Sequence, residues 1–64
     1  MKLKELLEII DESATISLYF SEDTDTMFIS QYTNKLQLEN TEYTELEVVS
    51  VNAYVDTLEI YLRY

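Results

Sequence analysis

Ser13-Ala14-Thr15-Ile16-Ser17-Leu18-Tyr19-Phe20-Ser21 is where the spacing of the apolar residues changes from that of a helix to that of a strand. From Ile16 on, apolar Ile16, Leu18 and Phe20 alternate with Ser17, Tyr19 and Ser21, the period of two that buries one face of a strand. Upstream, Leu3, Leu6, Leu7 and Ile10 fall at i, i+3, i+4 and i+7, one apolar stripe of an amphipathic helix. The spacing predicts a helix over Lys2–Glu12 that ends before Ser13. Its charges oppose the macrodipole, with Lys2 and Lys4 at the positive end and Asp11 and Glu12 at the negative end.

Downstream of the decisive stretch, Ser21-Glu22-Asp23-Thr24-Asp25 is a turn built from Asp, Ser and Thr. A second strand is expected over Thr26–Tyr32, with Met27 and Ile29 on one face and Phe28 and Tyr32 on the other. Thr33-Asn34-Lys35 is expected to turn tightly, with Asn34 suited to the left-handed conformation. Leu36 and Leu38 alternate with Gln37 and Glu39 as in a short strand, and Asn40–Thr44 is polar and reads as loop or helical turn. Glu45–Tyr54 reads as a strand with Val49, Val51 and Ala53 on one face. Val55-Asp56-Thr57 turns the chain into a last strand, with Leu58, Ile60, Leu62 and Tyr64 inward and Glu59, Tyr61 and Arg63 outward.

These elements predict one α+β domain over residues 1–64, an N-terminal amphipathic helix packed on a four- or five-stranded, mainly antiparallel sheet. Five strands would span about 19 Å, and one helix is about 10 Å across. Either the sheet curls, or apolar and aromatic sheet surface stays open, to be covered by a partner protein or a homodimer.

The 64 residues carry 13 acids and 4 bases, a formal charge of −9, with 47% hydrophobic residues and neither Cys, His, Gly, Pro nor Trp. The absence of Cys and His excludes thiol and imidazole chemistry and ordinary zinc sites. Without Gly there is no phosphate-cradling loop. No catalytic residue, metal ligand or cofactor is assigned. The acidic turn Glu22-Asp23-Thr24-Asp25 lacks the Gly and the bidentate Glu of a calcium loop. Paired carboxylates need a partly dry pocket to separate their pKa values, which a chain of this size rarely builds beside a core. The charge argues against direct nucleic-acid binding and against anionic membrane surfaces. No apolar run reaches the ~20 residues of a membrane span, and a cytoplasmic location is expected.

A basic protein surface is the partner this charge favours. Glu45 and Glu47, two apart on the expected strand, would present carboxylates about 6.6 Å apart on one face. Asp23 and Asp25 would do likewise if extended. One phosphate per ~3.4 Å of rise along a nucleic-acid strand is a comparable scale, and an Arg that clamps phosphate takes carboxylate equally well. The contact acids expected on this reading are Glu22, Asp23, Asp25, Glu42, Glu45, Glu47 and Glu59. Tyr19, Tyr43 and Tyr61, three of six tyrosines, are the expected anchors, since exposed Tyr supplies rigid contact area at low entropic cost.

The opening Met1-Lys2-Leu3-Lys4-Glu5-Leu6-Leu7-Glu8-Ile9-Ile10-Asp11, the strand Glu47-Val48-Val49-Ser50-Val51 and the closing Leu58-Glu59-Ile60-Tyr61-Leu62 resemble the small acidic proteins of bacteriophages and mobile elements of Gram-positive bacteria. Within that group the chain resembles the anti-CRISPR proteins, in size, charge and element order. The resemblance implies an inhibitor in the cytoplasm of a host bacterium that mimics nucleic acid and blocks the basic groove of a Cas nuclease. The competing expectation is a small self-associating accessory protein whose acids serve solubility alone.

Overall fold

The computed structural model describes residues 1–64. Four strands, β1 (Thr15–Glu22), β2 (Asp25–Tyr32), β3 (Glu47–Tyr54) and β4 (Thr57–Arg63), form one sheet in the order β2-β1-β4-β3. Two short helices, α1 (Leu3–Leu7) and α2 (Lys35–Glu39), and a 3-10 turn at Glu42–Glu45 complete an α+β fold. Two antiparallel hairpins, β1–β2 and β3–β4, stand side by side, and their inner strands β1 and β4 run parallel. The sheet is therefore mixed, with two of its three strand pairings antiparallel and the central one parallel, so it is not a meander. The 14 residues from Thr33 to Leu46 carry the chain across one face so that the second hairpin enters beside β1.

The core follows from that placement. Ile16 and Leu18 of β1 stand beside Leu58 and Ile60 of β4 in register, and Phe20 beside Leu62. Ile16, Leu18, Ile60 and Leu62 are fully buried, as are Leu3 and Leu38 from the overlying segments, and Leu7 and Ile10 are buried with them. The alternation in both inner strands thus has the faces expected of it, with one exception. Tyr64 lies outside the core, highly exposed, with its ring stacked on Phe20 at 5.1 Å.

Four expectations are corrected. The N-terminal helix stops at Leu7 instead of reaching Glu12. Asp11 pulls the chain into a turn, its Oδ1 accepting from both the amide and the hydroxyl of Ser13 at 2.8 Å. The Lys35 ammonium takes up the Leu7 carbonyl at 2.7 Å. Leu36 and Leu38 are in α2, not in a strand, because Asn34 is an N-cap: its Oδ1 accepts from the Leu36 amide at 2.7 Å, and its backbone is extended rather than left-handed. In β2 the pairing with β1 slips between Leu18 and Tyr19, so Met27 stands opposite Phe20 while Phe28 stands opposite Tyr19. Beyond the slip Tyr32 returns to the helix face opposite Ile16. In β3 a slip between Val48 and Ser50 leaves Val51 and Ala53 on the face of Ile60 and Leu58, while Val49 falls in the irregularity.

All helical elements lie on one face, and the smallest extent of the molecule is 17 Å, the thickness of a sheet with a single layer upon it. The other face is bare.

Candidate partner-binding surface

The bare face is organised around one carboxylate. Tyr19 and Tyr61 are register partners on β1 and β4, and their rings stack at 4.8 Å with 15° between planes. Both hydroxyls reach Glu59, the Tyr19 hydroxyl donating to Oε2 at 3.3 Å and the Tyr61 hydroxyl to Oε1 at 3.5 Å. Phe28 sets its edge against the Tyr19 ring at 5.5 Å. Desolvation first, and the Glu59 charge second, raise the Tyr19 phenol above its ordinary value. Beneath this cluster Ser17 is buried, its Oγ accepting from Gln31 Nε2 at 3.4 Å. The result is a rigid aromatic platform with a negative charge held at its centre. Tyr19, Glu59 and Tyr61 were singled out by their outward positions in the strands, and the structure brings them together. Phe28 joins them opposite Tyr19, a position the period-two pattern does not mark because the pairing slips beside it.

The β1–β2 hairpin end carries a second acidic group. Glu22, Asp23 and Asp25 are exposed there, and Asp23 takes φ 53°, the left-handed position that Gly would usually fill. Glu22 and Asp23 rim an open cleft of about 590 Å³ whose apolar lining includes Phe20, Met27 and Tyr64. Arg63 is at the same cleft and forms no ion pair. Glu42 and Tyr43, on the 3-10 turn, line a smaller recess that shares Tyr64 with the cleft. Tyr43 is half-buried against the core, with its ring edge-on to Phe20 at 6.2 Å, so less of it is offered to a partner than its place in an acidic loop implied.

Glu45 and Glu47 do not share a strand face as expected. Glu45 ends the 3-10 turn and Glu47 begins β3. Both are occupied: Glu45 takes the Lys2 and Lys4 ammonium groups at 3.1 and 3.0 Å, and Glu47 takes the N-terminal ammonium at 3.2 Å. Hydrogen bonds from Lys4 and then Lys2 hold the Glu45 carboxyl below its ordinary value. No group of three carboxylates is placed to hold a metal ion, and no helix is long and apolar enough to cross a membrane.

No protein-family model matches this chain, and neither a curated protein nor a solved structure matches it.

Proposed function

We propose that this chain is a non-enzymatic binding protein that occupies a basic, nucleic-acid-binding surface of an enzyme, with a Cas nuclease as the partner implied by the resemblance to phage anti-CRISPR proteins. One observation supports this reading above the others. Ion pairs within the chain engage only Glu45 and Glu47, so 13 − 2 leaves 11 carboxylates without a cationic partner. Three of these, Glu22, Asp23 and Asp25, stand together at one hairpin end beside the open cleft that Phe20, Met27, Tyr64 and Arg63 also line, and Glu59 accepts from both tyrosine hydroxyls of the aromatic platform. Carboxylates held outward on a fixed scaffold suit Arg and Lys side chains that otherwise clamp phosphates. Tyr19, Tyr61 and Phe28 add flat apolar area on which a guanidinium stacks. Glu42 contributes charge from the helical side. Glu45 and Glu47, already neutralised, contribute least.

The test is binding of a guide-loaded Cas nuclease to the chain and to two charge-altered versions. Reversing Glu22, Asp23 and Asp25 to Lys together is expected to weaken binding by about 100-fold, mostly through slower association. Reversing Glu45 alone is expected to weaken it by less than about tenfold. Equal losses from the two versions would remove the hairpin end from the footprint.

A further inference from the structure

Strand β3 is one edge of the sheet, and only its start is covered from outside. Lys2 is bridged to Glu47, the Leu3 amide donates to the Leu46 carbonyl at 2.9 Å, and the Val48 amide donates to the Met1 carbonyl at 2.8 Å. Beyond that point no strand lies against β3 on its outer side. The free stretch and the turn residue after it read Val49-Ser50-Val51-Asn52-Ala53-Tyr54-Val55, without a single charge in a chain of net charge −9. Val49, Val51, Tyr54 and Val55 are 49, 41, 67 and 90% exposed. An uncharged apolar edge pairs with another strand unless Lys, Pro or a bulge blunts it. At the opposite edge, the slip in β2 falls in the middle of the strand. In β3 it falls near the start, so Ser50–Tyr54 runs regularly.

Val55 supplies an independent observation. It adopts φ 51° in the two-residue turn between β3 and β4, a conformation in which a β-branched side chain is a genuine outlier. Almost wholly exposed, this side chain gains nothing within one copy of the chain that would offset the strain.

We propose that a second copy of this chain pairs with the free edge of β3, antiparallel about a two-fold axis at Asn52. The pairing begins where the cover from Met1 ends. It sets Val49 opposite Val55, Ser50 opposite Tyr54 and Val51 opposite Ala53. Val51 and Ala53 both lie on the helix face, as partners of Ile60 and Leu58, and Ser50 and Tyr54 both lie on the bare face, as partners of Tyr61 and Thr57. The faces therefore match across the axis, as an isologous contact requires. Charge selects the occupant. No carboxylate directly opposes another, and the exposed Asp56 of each copy falls opposite Val48 of the other, next to the N-terminal ammonium that Glu47 already engages. A basic partner finds no carboxylate between Val49 and Val55 to anchor it.

The chain has no cysteine, so Asn52→Cys places one thiol on the proposed axis. Under mild oxidation it is expected to give a disulfide-linked dimer, while Thr26→Cys on the β2 edge forms no disulfide link between copies. Sedimentation of the unaltered chain is expected to show a dimer that tightens several-fold from about 0.05 to about 0.5 M NaCl, as screening lowers the repulsion between two copies of charge −9. Val55→Asn, which suits the left-handed backbone, is expected to melt at a higher temperature yet dimerise about tenfold more weakly, because an interfacial apolar side chain is lost. A monomer at all concentrations, cross-linking of Thr26→Cys as fast as of Asn52→Cys, or an unchanged dimer in Val55→Asn would each overturn the proposal.

Discussion

At the scale of single residues, the chain meets the demands of its turns without glycine. Asp23 and Val55 both adopt positive φ. Asp is among the residue types that visit this region, whereas a β-branched residue there bears a cost of about 1–2 kcal/mol. Val55→Asn should therefore raise the free energy of unfolding in urea by about 1 kcal/mol. At concentrations low enough for the chain to be monomeric, no gain would mean that Val55 is not strained. Glu45 gives a pH signature. Its folded carboxyl is held low by Lys4 and Lys2, so the folded state binds its proton less readily than the unfolded chain does. The stability it contributes is full above the ordinary glutamate range and is lost as pH falls through the folded value. Glu45→Gln should flatten the acid side of a plot of melting temperature against pH. Tyr19 has the opposite sense. Its phenol is raised by desolvation and by Glu59, so its contribution is present below the ordinary tyrosine value and is lost as pH rises through the folded one. Tyr19→Phe should remove that alkaline loss.

At the scale of elements, β1 and β4 were legible because each turns one apolar face to the core, with Ile16, Leu18, Ile60 and Leu62 fully buried, and a period of two survives wherever nothing interrupts the ladder. The outer strands were legible as strands but not in their facing, since one slip inverts every side chain beyond it. Phe28 and Val49 are the residues this concealed. Leu36-Gln37-Leu38 misled for a different reason: two leucines two apart fit a strand, yet Leu38 is buried and Leu36 is exposed. The signal that could have settled it is Asn34-Lys35-Leu36-Gln37, an N-cap residue followed three positions later by Gln. In the structure Gln37 Oε1 accepts from the Thr33 amide at 3.2 Å while Asn34 accepts from Leu36. Asn34→Ala should cost about 1 kcal/mol in chemical denaturation, and Leu38→Ala about 2–5 kcal/mol. Near-equal losses would mean that the cap, rather than the buried leucine, holds α2. The stripe residues Leu3, Leu7 and Ile10 are buried, but the helix ends at Leu7 after about one and a half turns, where Lys35 takes up the Leu7 carbonyl, and no periodicity records such a stop.

At the scale of the whole molecule, charge is distributed by position as well as by amount. The N-terminal ammonium, Lys2 and Lys4 gather against Glu45 and Glu47 at one corner, and Glu22, Asp23 and Asp25 at the hairpin end form no ion pair. The net charge was plain in the sequence. Which carboxylates are neutralised was not, because the pairs join residues more than 40 positions apart. Nor could spacing show that Tyr19 and Tyr61 would stack across a parallel pair of strands and hold Glu59 between their hydroxyls. The central claim, that this surface stands in for nucleic acid, is tested most directly by competition. A guide-loaded Cas nuclease is bound to labelled chain at low salt, and unlabelled target DNA is then titrated in. Displacement of the chain in proportion to DNA bound, with affinity that falls steeply as salt is raised, is the predicted result. A ternary complex in which chain and DNA bind together, unaffected by salt, would contradict it.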